Sequence, residues 1–214
     1  MIVGQKMFKN VVTIDRREKV VTAFEQMRKH RIRHLPVMDG ERLVGIISDR
    51  DIKLALIPET SPRTGERFYY LLETTTIEEI MTTSPITVTP QTPLEEAAKL
   101  IYRYKIGSLP VVEEGKLVGI ITETDILEVF IEMMGFIKAS SRLDVILGEK
   151  PEAFEEVSKI IQQAGGKIIS VGISPYSKEV ANRIYHFRLE PIDLEPVTAR
   201  IQEAGYKVLA SYTT

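Results

Sequence analysis

Cysteine is absent from the 214 residues. That absence excludes disulfides, thiol nucleophiles, thiolate zinc sites and iron–sulfur clusters together, and it fits a reducing cytoplasm. Tryptophan is absent too. No charge predominates: 28 basic residues stand against 30 acidic ones, a net charge of −2. Nucleic-acid binders carry a clear basic excess, so that class of partner is set aside. No apolar run approaches the ~20 residues of a membrane helix; the most apolar stretch, Ile126–Ile137, is broken by Glu128 and Glu132. Nor do the first residues open a secretory signal, since Asp15, Arg16 and Arg17 follow quickly. A soluble cytoplasmic protein without membrane or nucleic-acid partners is expected. Enzyme signatures are also lacking. There is no Gly-x-Ser-x-Gly elbow, Walker A loop or Gly-x-Gly-x-x-Gly turn, and His186 has no nucleophile near it in sequence. A non-enzymatic role without a required cofactor is expected.

What is present is ordinary globular composition, 43% apolar and 27% charged, enough for one to three small domains. It is organised by an internal repeat. At an offset of 74, His34-Leu35-Pro36-Val37 meets Ser108-Leu109-Pro110-Val111, and Leu43-Val44-Gly45-Ile46-Ile47 meets Leu117-Val118-Gly119-Ile120-Ile121. Nine of the nineteen positions between Arg33–Asp51 and Gly107–Asp125 are identical. The match continues upstream through Val12-Thr13-Ile14 and Ile86-Thr87-Val88.

Each copy reads as β-α-β-β-α over roughly fifty residues. Short β-like runs (Val11–Ile14, Ile86–Val88) precede helices near Lys19–Lys29 and Pro93–Tyr104. In the second helix Thr92 suits an N-cap, Pro93 the first helical position and Glu95 a capping box. Strands Leu35–Met38 and Leu109–Val112, a polar turn, then strands Leu43–Ile47 and Lys116–Ile121 follow, with helices starting near Asp49 and Glu123. One copy alone would expose much of its three-stranded sheet, so the two are expected to pack as a pair. The repeats are assigned to 1–57 and 77–134, joined by a linker at 58–76 whose start, 58–65, reads as a loop and whose apolar end, 68–72, is expected to cover the pair. After a linker at Gly135 and Ala139-Ser140-Ser141, residues 140–214 order as strand, helix, two strands, helix, strand. The helices fall at Pro151–Ala164 and Leu194–Ala204, with Gly165-Gly166 and Gly205 ending them. This βαββαβ order is ferredoxin-like, and the class of the whole chain is α+β.

The duplicated Gly-h-h-Ser/Thr-x-x-Asp motif, Gly45-Ile46-Ile47-Ser48-Asp49-Arg50-Asp51 and Gly119-Ile120-Ile121-Thr122-Glu123-Thr124-Asp125, resembles that of tandem CBS domains. The C-terminal unit resembles an ACT domain, through its element order and Lys150-Pro151. Two CBS repeats followed by an ACT domain resembles the arrangement of the acetoin utilisation family. ACT domains that bind amino acids usually carry glycine after that proline. Here the residue is Glu152, and Lys167 stands at a common asparagine position, so this domain is expected to dimerise rather than to bind an amino acid. Both families self-associate, which implies a homodimer, most simply of C2 symmetry.

The CBS resemblance implies a non-enzymatic sensor holding AMP, ADP or ATP in clefts between the repeats. One cleft would take Ser48 and Asp51 with Ile86 and Ile106, the other Thr122 and Asp125 with Val12 and Ile32. An aspartate can accept both ribose hydroxyls, the turn before each helix offers backbone N–H groups to phosphate, and β-branched side chains can sandwich the base. The clefts are not equal. Arg33, His34 and Arg50 supply cationic donors to the first, whereas Gly107, Ser108 and Thr124 occupy the matching positions of the second. A phosphate-bearing nucleotide is therefore expected at Ser48/Asp51, and a less charged adenosine compound, or nothing, at Thr122/Asp125. Other roles for these residues stay open. Asp51 and Asp125 could simply cap helices. Arg28, Lys29 and Arg31 fit a solvated helix end. His30 and His34 lack a third metal ligand, so no metal is expected. The competing functions are an amino-acid-sensing ACT regulator and a ligand-free dimerisation scaffold. The partner enzyme is not named by the sequence.

Overall fold

The spacing of 74 residues carries directly into backbone geometry. A computed structural model describes residues 1–60, 67–70, 74–137, 139–148, 150–175 and 183–213, in two units, Met1–Ile126 and Leu127–Thr214. The first repeat runs through β1 (Ile14–Asp15), α1 (Val20–His30), β2 (His34–Asp39), β3 (Arg42–Ser48) and α2 (Asp49–Leu54). Strands β4 (Ile57–Thr60) and β5 (Arg67–Tyr70) follow, then α3 (Ile77–Ile80) and β6 (Thr82–Thr83). The second repeat has α4 (Leu94–Tyr104), β7 (Ser108–Glu113), β8 (Lys116–Thr122) and α5 (Glu123–Met133). Helices α1 and α4 bury the same stripe, Val20, Ala23 and Met27 in one and Leu94, Ala97 and Ile101 in the other. Both end on a left-handed residue, Arg31 (φ 54°) and Lys105 (φ 56°). Both hairpins carry a bulge at the same place, Val37/Met38 and Val111/Val112.

Three expectations are corrected. Residues 58–60, expected to open a loop, are strand instead, because β4 and β5 pair antiparallel from Ile57↔Tyr70 to Thr60↔Arg67; the rest of that expected loop, 61–65, lies outside the described residues. The cover expected of residues 68–72 lies outside the described residues. The cap of α4 is Pro93 and not Thr92, whose hydroxyl instead accepts from the Thr89 backbone N–H at 3.0 Å. The second repeat also lacks a full opening strand: Val88 makes only an isolated parallel bridge to Val111, where the first repeat has β1 paired with β2.

The larger departure is an exchange of edges. Strand β6, from the opening of the second repeat, joins the first repeat's sheet, in the order β1-β2-β3-β6. Reciprocally, Phe8 bridges Ile120 of β8. The backbone bonds obey the same offset: Val3 N–H donates to Thr92 O and Gly4 N–H to Pro90 O, while Ile77 N–H donates to Glu18 O and Glu78 N–H to Arg16 O. Val3 and Ile77 are fully buried. Glycine is needed where these segments cross: a Cβ on Gly45 would stand 2.5 Å from Met81 Sδ, and one on Gly119 2.5 Å from Met7 Sδ.

The C-terminal unit contains β9 (Ser141–Ile146), α6 (Ala153–Gln163), β10 (Ile168–Pro175), β11 (Arg183–Leu189), α7 (Glu195–Glu203) and β12 (Lys207–Thr213). This is the expected βαββαβ order. Its antiparallel sheet runs β10-β11-β9-β12. Period-2 alternation on β9 sends Leu143 and Val145 inward. They pack with Phe187 and Leu189 of β11, Val157 and Ile161 of α6, and Val197 and Ile201 of α7. Phe154 stacks on Phe187 at 5.9 Å.

Candidate functional site

A cavity of about 870 Å³ opens in the first unit, between residues of the two repeats. Arg33 lines it from just before β2, His34 from the start of β2, Ser48 from the end of β3, and Asp49, Arg50 and Asp51 from the first turn of α2. Ile86 and Ile106 reach it from the second repeat. All seven residues expected at the first cleft therefore line one cavity. The other four do not line it. Val12 and Ile32 pack against the first repeat's core, and Thr122 and Asp125 sit at the start of α5.

Ser48 and Asp51 form a capping box. Ser48 N–H and Oγ–H both donate to Asp51 Oδ2, each at 2.7 Å, and Asp51 N–H donates back to Ser48 Oγ at 3.3 Å. Thr122 and Asp125 repeat it at 2.8, 2.7 and 3.2 Å. Capping and binding are thus compatible. Capping occupies Oδ2 and leaves the two lone pairs of Asp51 Oδ1 for hydroxyl donors. The same turn already uses two of its backbone donors. The Asp49 N–H is taken by Arg33 O and the Asp51 N–H by Ser48 Oγ, and Asp49 and Asp51 place two carboxylates in that turn. The cavity also carries side-chain cations.

Those cations include one the sequence reading missed. Lys105, held by the left-handed end of α4, lines the cavity with Arg33 and Arg50, its ammonium 4.1 Å from the Tyr102 ring centroid. Tyr102 and Tyr104 add aromatic surface on the same side. Ser108 was also missed. It is only 4% exposed and lines the cavity, and its Oγ has no hydrogen-bond partner among the described residues. A buried unpaired hydroxyl costs about 1–3 kcal/mol, and a ligand atom in the cavity would relieve it. The available signal was Ser108's place opposite His34 in the repeat alignment.

His34 lines the cleft with its ring against Gly107. A Cβ on Gly107 would stand 2.7 Å from His34 Cε1 and Nε2, so glycine is the residue that lets the imidazole lie there. Burial, helped by Arg33, lowers the His34 pKa below 6.5, against the opposing pull of Asp49, Glu123 and Asp51. The unfolded chain therefore takes up this proton at a higher pH than the folded one. The stability from a neutral His34 is full above pH 6.5 and is lost as pH falls from there toward the lowered folded value. In melts between about pH 5 and 7, His34→Gln should flatten the fall in Tm; an unchanged slope would remove His34 as its cause.

Comparison with known proteins decides the family. The model of the CBS domain matches twice, at residues 3–58 and 77–132. The chain belongs to the CBS-domain family. A CBS domain-containing protein of Dictyostelium discoideum is 33% identical over 136 residues, 63% of this chain and 94% of that protein. The inosine-5′-monophosphate dehydrogenase of Korarchaeum cryptofilum is 37% identical over 121 residues, 56% of this chain but only 22% of the dehydrogenase. Among solved structures, the CBS pair of protein MJ0100, in complex with 5′-methylthioadenosine and S-adenosyl-L-methionine, is similar at a TM-score of 0.51 and 31% identity, over 64% of this chain and 98% of that one. A Vibrio cholerae chain described as an acetoin utilization protein (AcuB) is similar at 0.51 and 32%, over 64% and 95%. In this CBS pair the candidate cleft falls between the two matched segments.

Proposed function

We propose that the CBS pair of this chain is a non-enzymatic sensor that binds an adenine nucleotide in its cleft and passes the occupied state to a partner. One observation carries this reading: a single cavity joins the Ser48/Asp51 hydroxyl-recognition pair and three cations to Ile86, Ile106 and the unsatisfied Ser108 of the facing repeat. The adenosine-containing ligands of the MJ0100 pair support it. The roles are assigned by chemistry. Asp51 Oδ1 accepts ribose hydroxyls, Arg33, Arg50 and Lys105 meet phosphate, and Ile86 and Ile106 flank the base. Thr122 and Asp125, with Val12 and Ile32, belong to a second, weaker position for a less charged adenosine compound. Residues 140–214 act as an ACT-like dimerisation domain, a reading supported by their βαββαβ order and sheet. The chain works as a cytoplasmic homodimer; among the described residues no helix is long and apolar enough to cross a membrane. Likeness to the Vibrio cholerae chain points to a partner in acetoin or related carbon metabolism. A ligand can act here only through unequal affinity for two arrangements of the protein.

A melt panel on nucleotide-stripped protein tests the reading with AMP, ADP, ATP, S-adenosylmethionine and the common amino acids. At 100 times its Kd a ligand stabilises by about 2.7 kcal/mol, a shift of several degrees. A nucleotide response is expected. A response to amino acids alone would move the function to the C-terminal unit, and a flat panel with a dimer by light scattering would leave a scaffold.

A further inference from the structure

The sheet of the C-terminal unit carries a polar chain across three neighbouring strands, separate from the nucleotide cleft. Arg142 and Asp144 alternate with buried Leu143 and Val145 on β9, so they stand on the face away from the core. His186 of β11 lies directly opposite Asp144. Gly172 of β10 lies opposite His186, and Ser174 follows two residues along the same face.

The distances make a relay. His186 Nδ1 is 2.8 Å from Asp144 Oδ1, and His186 Nε2 is 2.7 Å from Ser174 Oγ. Arg142 clamps the carboxylate with both arms, Nε to Oδ1 at 2.8 Å and Nη2 to Oδ2 at 3.0 Å. Partial burial pushes the Asp144 pKa up, but hydrogen bonds from Arg142 and His186 outweigh it and hold the carboxyl below its usual value. An ionised Asp144 can only accept, so Nδ1 carries the imidazole proton. Nε2 is then a bare acceptor, and the Ser174 hydroxyl is its donor. Arg142 Nη2 also lies within hydrogen-bond distance of Nδ1, at 3.1 Å, beside the shorter contact of Nδ1 with Asp144. The side chains of Asp144 and His186 are 14% and 23% exposed, so little water competes for the relay. Ser174, half-buried, lies on the edge strand of the sheet.

We propose that Ser174 is an activated nucleophile, with His186 as its base and Asp144 and Arg142 as positioning residues, and that it accepts an acyl group from an activated ester. In the step, a bond forms between Ser174 Oγ and the acyl carbon while the hydroxyl proton passes to Nε2. The bond from that carbon to the leaving oxygen breaks, and Nε2 returns the proton to it. Water then attacks the acyl-serine by the same route, releasing the acid and restoring Ser174. No electron is gained or lost. Met134 lies on the same face, its Cε 3.2 Å from where a Cβ on Gly172 would stand and its carbonyl accepting from Ser170 Oγ, so the space beside Ser174 suits small acyl groups with good leaving groups.

The full chain is treated with a fluorophosphonate probe and the adducts are mapped by mass spectrometry; in parallel, p-nitrophenyl acetate is followed for a burst. Ser174 should label at least ~10-fold faster than Ser170, a serine of the same strand whose hydroxyl donates to Met134 O. Equal or slower labelling of Ser174 overturns the proposal, and this comparison needs no variant to fold. Ser174→Ala should abolish the burst. Asp144→Asn should slow the burst at least ~10-fold with its amplitude unchanged; a loss of amplitude with the rate preserved would reduce Asp144 to a structural role and overturn the relay.

Discussion

Asp51→Ala should weaken adenine-nucleotide binding roughly 10- to 100-fold. The lost interactions are hydrogen bonds from ligand hydroxyls to a carboxylate, worth about 1.5–3 kcal/mol, and about 1.4 kcal/mol is tenfold in Kd. The substitution also removes the acceptor of the Ser48 N–H and Oγ–H bonds, so the variant should lose about 1 kcal/mol of stability as well. Asp125→Ala separates the two effects. It breaks the equivalent box at Thr122, yet Asp125 does not line the cavity. Its stability should drop similarly while high-affinity binding survives. Calorimetric titration of both variants decides the matter: equal affinity losses would mean that the cap, not the ligand contact, was being measured, and no loss in Asp51→Ala would remove Asp51 from the site.

The second large effect is in the C-terminal core. Phe187 is fully buried, stacked against Phe154 with an interplanar angle of 13° and near Tyr185 at 6.4 Å. Phe187→Ala removes the ring and leaves a cavity between sheet and helices, at a cost of about 3–5 kcal/mol. For a unit of this size about 1 kcal/mol moves Tm by 4–8 °C, so calorimetry should show a transition lowered by more than about 10 °C. The nucleotide response should persist, because the cleft is built from residues of the other unit. A single transition, with nucleotide binding lost alongside it, would show instead that the two units unfold as one.

The repeat was legible because its signals are local. Leu-Pro-Val strands, the Gly-h-h-Ser/Thr-x-x-Asp turn and the apolar stripes of α1 and α4 each lie within a dozen residues. Of the seven residues of the first cleft, Ser48, Arg50 and Asp51 lie in that motif, whereas Arg33, His34, Ile86 and Ile106 came only with the family resemblance. The exchanged edges were not legible, since the bonds of Val3 to Thr92 and of Ile77 to Glu18 join distant segments of weak pattern. A trace existed in Met7 and Met81, identical at the offset of 74 and each set against a motif glycine. Lys105 and Tyr102 were missed for a related reason: they sit at a helix end, where polarity reads as solvation. His186 had no nucleophile near it in sequence because Ser174 reaches it only through the pairing of β10 with β11.

The exchange of edges also orders events during synthesis. The first repeat's sheet lacks its β6 edge until Thr82 and Thr83 have left the ribosome, although its own residues end well before. The second repeat, by contrast, finds Val3, Gly4 and Phe8 already made. At about 5–20 residues per second, the first copy waits on the order of seconds with Gly45 and Ile46 uncovered along one strand. The two copies are thus nearly symmetric as a finished object but unequal as a process, and the nascent first copy is the species that presents an open strand edge to chaperones and to other chains.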